Sequence, residues 1–206
     1  MKIKICGMRD KNNILSLVQL PIDYIGFIFY PLSPRYIGNT IPLEILNLIP
    51  STVKKAGVFV NAPLIDLLLI AEKNHLDCIQ LHGNETPEYC AILRENGYKV
   101  IKAFKAEQEM FTHGTVQYNY VCDYFMFDTP TPKFGGSGIK FDWTILKQQK
   151  ISLPFFLSGG IGPDDIEIIK GIDINEFYAV DINSKFEIKP GIKNIDLIKG
   201  FIEKVK

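Results

Sequence analysis

The chain reads as an α/β protein, a single (β/α)₈ TIM barrel, on three observations. Eight short runs rich in β-branched and aromatic residues recur along it, helical signals with recognisable ends separate them, and glycine and polar residues gather after most runs. The runs are Lys2 to Cys6, Tyr24 to Phe29, Lys54 to Val60, Cys78 to His82, Lys99 to Phe104, Tyr124 to Asp128, Pro154 to Ser158 and Phe177 to Ile182. Several are almost continuously apolar, as parallel strands covered on both faces by helices must be.

The helical signals between the runs have definable ends. Thr86-Pro87 reads as an N-cap followed by proline at the first helical position, and that helix stops at Asn96-Gly97. Gly162-Pro163-Asp164 opens another after the seventh run. From Asn194 to Val205, apolar residues at 195, 197, 198, 201, 202 and 205 form one stripe at helical period, so the last helix can lie against a barrel. Between Ala106 and Val121 the pattern supports only a short or irregular helix. The same alternation would suit a doubly wound open sheet. That alternative lacks a GxGxxG after the first strand, and its function would sit at one switch point, whereas here the polar signals follow most strands.

At 206 residues the chain has room for one domain, 1–206, near the lower limit for eight strand-helix units. Its 47% hydrophobic and 22% charged composition is that of a globular protein with a sizeable core. Lys plus Arg equals Asp plus Glu at 23 each, so no overall field recruits nucleic acid or an anionic membrane, and an anionic ligand needs local donors. No stretch approaches the roughly 20 apolar residues of a membrane span, and a cytoplasmic setting is expected. The cysteines at 6, 78, 90 and 122 form no CxxC pair, and the histidines at 75, 82 and 113 lack the i, i+4 spacing of a helical zinc site. Neither a disulfide nor a metal is expected.

In a barrel the carboxyl ends of all strands open on one mouth. Strand one ends in Cys6-Gly7, strand two leads to Ser33-Pro34-Arg35, strand four ends in His82-Gly83 and strand six in Asp128-Thr129. Strand seven ends in Ser158-Gly159-Gly160, and strand eight in Asp181, Asn183 and Ser184. A glycine pair ahead of a helix start offers backbone N–H groups to an anion, and the loops after strands seven and eight are the usual phosphate clamp of this fold. Each residue also has an ordinary structural reading: Cys6 as a small buried hydrophobe, Asp128 as a cap, Arg35 as a solvated charge, His82 as a satisfied core histidine, Gly159-Gly160 as a tight turn. Their shared rim favours chemistry.

An ordered set of motifs spans almost the whole chain: Lys4-Ile-Cys-Gly-Met8, Gly26-Phe-Ile-Phe-Tyr-Pro-Leu-Ser-Pro-Arg-Tyr36, Gly57-Val-Phe-Val-Asn61, Gln80-Leu-His-Gly83, Phe127-Asp-Thr129, Gly135-Gly-Ser-Gly138 with Phe141-Asp-Trp143, Leu157-Ser-Gly-Gly160 and Ala179-Val-Asp181. In these the sequence resembles the phosphoribosylanthranilate isomerase family of tryptophan biosynthesis, which are barrels of the ribulose-phosphate-binding type. The resemblance implies that Cys6 is a general base, Asp128 a general acid and Arg35 a contact to the anthranilate carboxylate, with His82 and Asp181 also on the substrate. It places the phosphate on the loops after strands seven and eight, at Gly159, Gly160, Asn183 and Ser184. The implied partner is the small-molecule substrate N-(5-phosphoribosyl)anthranilate, with no cofactor, and the chain acts as a monomer or homodimer. One departure stands out: the family reads Asp-Val-Ser-Ser-Gly-Val-Glu after strand eight, and here Lys185 occupies the glycine's place.

The implied reaction is an Amadori rearrangement. An acid protonates the ribose ring oxygen, the ring opens to an iminium, and a base removes the proton at C2. A free aspartic acid with pKa ~3.9 is about one part in a thousand protonated at pH 7, a deficit of about 4 kcal/mol, while a free thiol at ~8.5 is about 3% thiolate, a deficit of roughly 2 kcal/mol. Strand parity puts Lys4 on the same face as Cys6, about 6.6 Å lower. That lysine either favours the thiolate or pairs with a core carboxylate. Gly135 to Gly138 reads as a closing lid or as a plain linker.

Two other readings share parts of this pattern. A barrel that binds a phosphate ligand without turnover, as a sensor, would not need Cys6, Asp128 and Arg35 together. An indoleglycerol-phosphate synthase would need a lysine and glutamates at strand ends, and a metal-dependent epimerase a histidine-carboxylate set; neither is apparent.

Overall fold

Eight parallel strands close into a barrel in chain order, in a computed structural model that describes residues 1–106, 114–129 and 141–206. They are β1 (Lys2–Ile5), β2 (Tyr24–Ile28), β3 (Lys54–Phe59), β4 (Cys78–Leu81), β5 (Lys99–Lys105), β6 (Tyr124–Asp128), β7 (Phe155–Leu157) and β8 (Phe177–Ile182). Each coincides with a predicted run. The runs for β1, β2, β3, β4 and β7 reach one residue further and that for β5 stops one short; at three of these ends Cys6, His82 and Ser158 still bond the neighbouring strands through their N–H groups, at Ile182 O (3.0 Å), Phe59 O (2.8 Å) and Phe127 O (2.9 Å). These three residues therefore sit where the ladder ends and the mouth begins.

Closure comes from β1, which pairs with β2 at Lys4 opposite Tyr24 and with β8 at Lys4 opposite Asp181. Alternation then divides the side chains. Ile3, Ile5, Ile25, Phe27, Phe125, Phe127, Phe155 and Leu157 belong to the large core between barrel and helices. Tyr24, Ala56, Cys78, Ile101, Met126, Phe156 and Ala179 form a separate cluster that fills the barrel itself.

The helices are α1 (Lys11–Leu17), α2 (Leu43–Leu46), α3 (Leu64–Lys73), α4 (Pro87–Glu95), α5 (Ile166–Lys170) and α6 (Ile195–Val205). The predicted cap of α4 is present, and α6 has a cap of its own at Asn194. Thr86 accepts from the Tyr89 N–H and Asn194 from the Leu197 N–H (3.1 Å), which satisfies N–H groups the helix itself cannot. Gly162-Pro163 opens a 3₁₀ turn, Pro163–Asp165, that runs into α5. The stripe on α6 buries Ile198, Phe201, Ile202 and Val205.

Two connections depart from regular strand-helix alternation. Between β6 and β7 the described residues form a 3₁₀ run, Trp143–Gln148. After β5 they form only a 3₁₀ turn, Val116–Tyr118; the first part of the irregular segment expected there, residues 107–113, and the glycine segment 135–138 lie outside the described residues. After β8 an unpredicted hairpin appears, β9 (Glu187–Lys189) against β10 (Ile192–Lys193), turned by Pro190-Gly191. Among the described residues no helix is long and apolar enough to cross a membrane.

Candidate active site

The barrel mouth opens into a cleft of about 780 Å³, open solvent included. Eight of the nine residues singled out from the sequence line it: Cys6, His82, Asp128, Gly159, Gly160, Asp181, Asn183 and Ser184. Arg35 is the exception.

The thiol side is built on a buried ion pair. Lys4 Nζ lies 2.8 Å from Asp181 Oδ1, with both side chains almost wholly buried, and Ser158 Oγ lies 3.4 Å from Asp181 Oδ2. Cys6 rises above Lys4 on the same face and turns into the cavity, not outward beneath a helix. Gly26 on β2 makes room for it, because a Cβ there would stand 2.9 Å from the Cys6 sulfur. Burial pushes the thiol above its usual value; Lys4 pulls it down, Asp181 pushes it up, and Lys193 pulls it down. The expectation that Lys4 would favour the thiolate is thus met only in part: its pull is present but burial outweighs it, since the lysine is also paired with a core carboxylate. Burial opposes the charge on Lys4 too, yet Asp181 and the sulfur hold its proton more tightly than usual. Asp181 therefore supports the thiol from below as well as facing the cavity.

The carboxyl side is a relay of three residues. Asp128 Oδ2 lies 3.0 Å from His82 Nε2, and His82 Nδ1 lies 3.0 Å from Gln80 Nε2. Asp128 Oδ1 accepts from the Thr129 N–H at 2.8 Å. The loop carrying His82 is anchored by Glu85, whose carboxylate accepts from the Asn61 N–H (2.8 Å) and the Gly83 N–H (3.0 Å) and pairs with the buried Lys102 (3.0 Å). Gly159 has φ +90, and a Cβ on it would collide with Thr129 and come within 2.8 Å of Asp128 Oδ1. Only glycine permits this approach and this backbone together.

Gly160 also has positive φ, +65, so the chain turns sharply beside the cavity after β7. At the helix start that follows, the Gly162 N–H is taken by Asp165 Oδ2 at 2.7 Å. The loops after β7 and β8 thus bring Gly159, Gly160, Asn183 and Ser184 to the cavity, while the stem of exposed Lys185 passes beside Gly162.

Arg35 was expected at the substrate carboxylate. The structure gives it a carboxylate from within: Arg35 Nε lies 2.9 Å and 3.1 Å from the two oxygens of Glu187, and Nη2 lies 2.6 Å from Oε2. Lys193 Nζ, fully buried, approaches Glu187 Oε1 at 2.8 Å and Asn183 Oδ1 at 2.5 Å. Burial would raise Glu187, but Arg35 and Lys193 hold its carboxyl below the ordinary range. Burial dominates Lys193, whose proton is held less tightly than usual although Glu187 opposes this. The hairpin therefore braces Arg35 and Asn183 against each other. Glu187, Lys193 and the relay role of Gln80 escaped the sequence reading; Pro190-Gly191, a turn signal between short apolar runs, was the available hint of the hairpin. Among the described residues no three His, Cys, Asp or Glu side chains gather as a metal site would require.

Residues 3–204 match the family model for N-(5'phosphoribosyl)anthranilate (PRA) isomerase. An N-(5'-phosphoribosyl)anthranilate isomerase of Parabacteroides distasonis is 44% identical over 100% of this chain and 93% of its own. The crystal structure of phosphoribosyl anthranilate isomerase from Thermotoga maritima superposes with a TM-score of 0.88 at 35% identity, covering 100% of this chain and 98% of that one. A second solved structure, phosphoribosyl anthranilate isomerase in complex with reduced 1-(o-carboxyphenylamino)-1-deoxyribulose 5-phosphate, gives 0.82 at 32% identity with the same coverage. The match over nearly the full length, together with a barrel whose mouth assembles the thiol, the carboxyl and the glycine loop, means that this chain belongs to the N-(5'-phosphoribosyl)anthranilate isomerase family.

Proposed function

We propose that this chain converts N-(5'-phosphoribosyl)anthranilate to 1-(o-carboxyphenylamino)-1-deoxyribulose 5-phosphate, the Amadori rearrangement of tryptophan biosynthesis. One observation carries the reading: Cys6 and Asp128, from strands on different sides of the barrel, line the same cavity as the glycine loop after β7. The phosphate sits on Gly159, Gly160, Asn183 and Ser184. Held there, the sugar lies between a carboxyl and a thiol.

Asp128 protonates the ring oxygen, and the C1–O bond breaks to leave an iminium. Cys6, as thiolate, takes the C2 proton, and the electron pair released from that C–H bond neutralises the iminium. The enolamine then relaxes to the ketone. The imine nitrogen of the substrate is the electron sink, so the side chains need only move protons. Arg35, braced by Glu187, receives the anthranilate carboxylate with its remaining N–H groups, and His82 and Asp181 flank the sugar. The chain works as a monomer or a homodimer. Four buried free cysteines suit a reducing, cytoplasmic setting.

The test is turnover of N-(5'-phosphoribosyl)anthranilate, followed by loss of its fluorescence, and rescue of a tryptophan auxotroph lacking this isomerase. Wild type should rescue. Cys6→Ser and Asp128→Asn, folded as judged by circular dichroism, should lose about 10²–10⁴-fold in turnover. Binding without turnover by wild type would instead make the chain a sensor.

A further inference from the structure

Gln80 stands two residues before His82 on β4, so both side chains leave the same face of the strand and reach the cavity. An amide nitrogen has no lone pair to offer, so with Gln80 Nε2 at 3.0 Å the His82 Nδ1 accepts, and the ring proton sits on Nε2. That Nε2–H donates to Asp128 Oδ2, while Thr129 N–H donates to Oδ1. Both oxygens of Asp128 thus act as acceptors. This is the bonding of a carboxylate, yet the group assigned as the acid must start with a proton.

The resolution lies in the other end of the amide. Gln80 Oε1 is buried and has no hydrogen-bond partner among the described residues. An orphaned buried polar group is costly, and turning the amide by half a rotation only exchanges the unpaired Oε1 for an unpaired NH₂, so neither orientation satisfies both ends of Gln80 and the two lie close in energy. In the turned form Oε1 accepts from Nδ1–H, the ring's lone pair moves to Nε2, and Nε2 accepts from an Asp128 O–H.

We infer that Gln80 is a positioning residue for the acid: the direction of its amide selects the His82 tautomer, and the tautomer selects whether Nε2 donates to Asp128 or accepts from an Asp128 O–H. This rests on Asp128 being the acid. The protons balance. Going to the turned form, one proton enters from solvent at Nδ1 and the Nε2 proton passes to Oδ2, so the relay changes from one negative charge to neutral. The Asp128 O–H then turns from Nε2 to the ring oxygen, and its delivery there returns the charge to minus one. The imidazole then moves its remaining proton from Nδ1 back to Nε2 through solvent, with no net change, and the amide turns back.

The experiment is ¹⁵N NMR of His82 in labelled wild type, Gln80→Glu and Gln80→Leu, alongside kcat and KM for N-(5'-phosphoribosyl)anthranilate. Wild type without substrate should carry its ring proton on Nε2. In Gln80→Glu a carboxylate can only accept, so Nδ1 should be protonated. Gln80→Leu should lose roughly tenfold in kcat while KM stays within about twofold, since the loss lies in proton delivery and not in binding; if Leu fails to fold, Gln80→Met reads the same effect. An unprotonated Nδ1 in Gln80→Glu, or an unchanged kcat in Gln80→Leu, overturns the inference. Failure of the acid assignment is read separately, as undiminished turnover by Asp128→Asn, and leaves the NMR result to decide the Gln80–His82 linkage alone.

Discussion

Lys4 and Asp181, 177 residues apart in sequence, meet inside the barrel at 2.8 Å, directly below the thiol of Cys6. They are register partners on β1 and β8, the pair of strands whose meeting closes the barrel. The closure that completes the fold therefore also installs the charges that tune the sulfur.

Lys4→Met should raise the pKa of Cys6. Burial already lifts the thiol and Lys4 is the largest opposing influence, so its removal, with Asp181 left in place, moves the thiol further up. The basic pKa in the pH-rate profile should shift to higher pH, and turnover at pH 7 should fall. Stranding a buried carboxylate should also destabilise the fold by about 3–5 kcal/mol, and Lys4→Met/Asp181→Asn should recover part of that. An unmoved pH profile in a folded variant would remove Lys4 from the chemistry.

Glu187→Gln should loosen Arg35 and strip Lys193 of its carboxylate partner. Because Glu187 is held below its ordinary value of 4.5 in the folded chain, its contribution to stability is full above that value and is lost as pH falls through the lower, folded one. Denaturant midpoints of wild type should fall across that acid window, and those of Glu187→Gln should fall less. KM should rise severalfold through the misplaced Arg35, and a KM equal to that of wild type would separate the hairpin from substrate binding.

At Gly159 a methyl group meets both an unfavourable φ of +90 and the hydroxyl and backbone nitrogen of Thr129, with the Asp128 carboxyl beside them. Gly159→Ala should cost on the order of 1–3 kcal/mol in stability and should displace Asp128. Turnover should drop with it. Retained kcat and retained thermal midpoint together would mean that the loop can retreat without consequence.

Phe201 on α6 is almost fully buried and packs edge-on to Phe186 at a centroid distance of 5.0 Å. Phe186 sits in the turn just after β8, next to Asn183 and Ser184. Phe201→Ala should cost about 3–5 kcal/mol by leaving a cavity, measured by urea denaturation, and should weaken inorganic phosphate as a competitive inhibitor. A stable variant with unchanged inhibition would show that the last helix does not support the phosphate loop.

How far the sequence could be read depended on the range of the interaction. Strand positions were legible because apolar runs bounded by turn residues are local: all eight predicted runs became strands, and Thr86 became the cap of α4. The candidate residues were legible because strand ends in a barrel share one mouth, and eight of the nine line one cavity. The hairpin was missed, since its strands are three and two residues long and carry too little pattern.

By itself the sequence determined the order of the strands, the faces of their side chains and the family to which the motifs point, since period and motif are properties of neighbouring residues. Tertiary structure alone decided who pairs with whom. Lys4 meets Asp181 only when β1 finds β8, Arg35 is claimed by Glu187 across 152 residues, and His82 reaches Asp128 across 46. Charges in a buried interior act through distance and solvation, and neither quantity exists until the chain has closed.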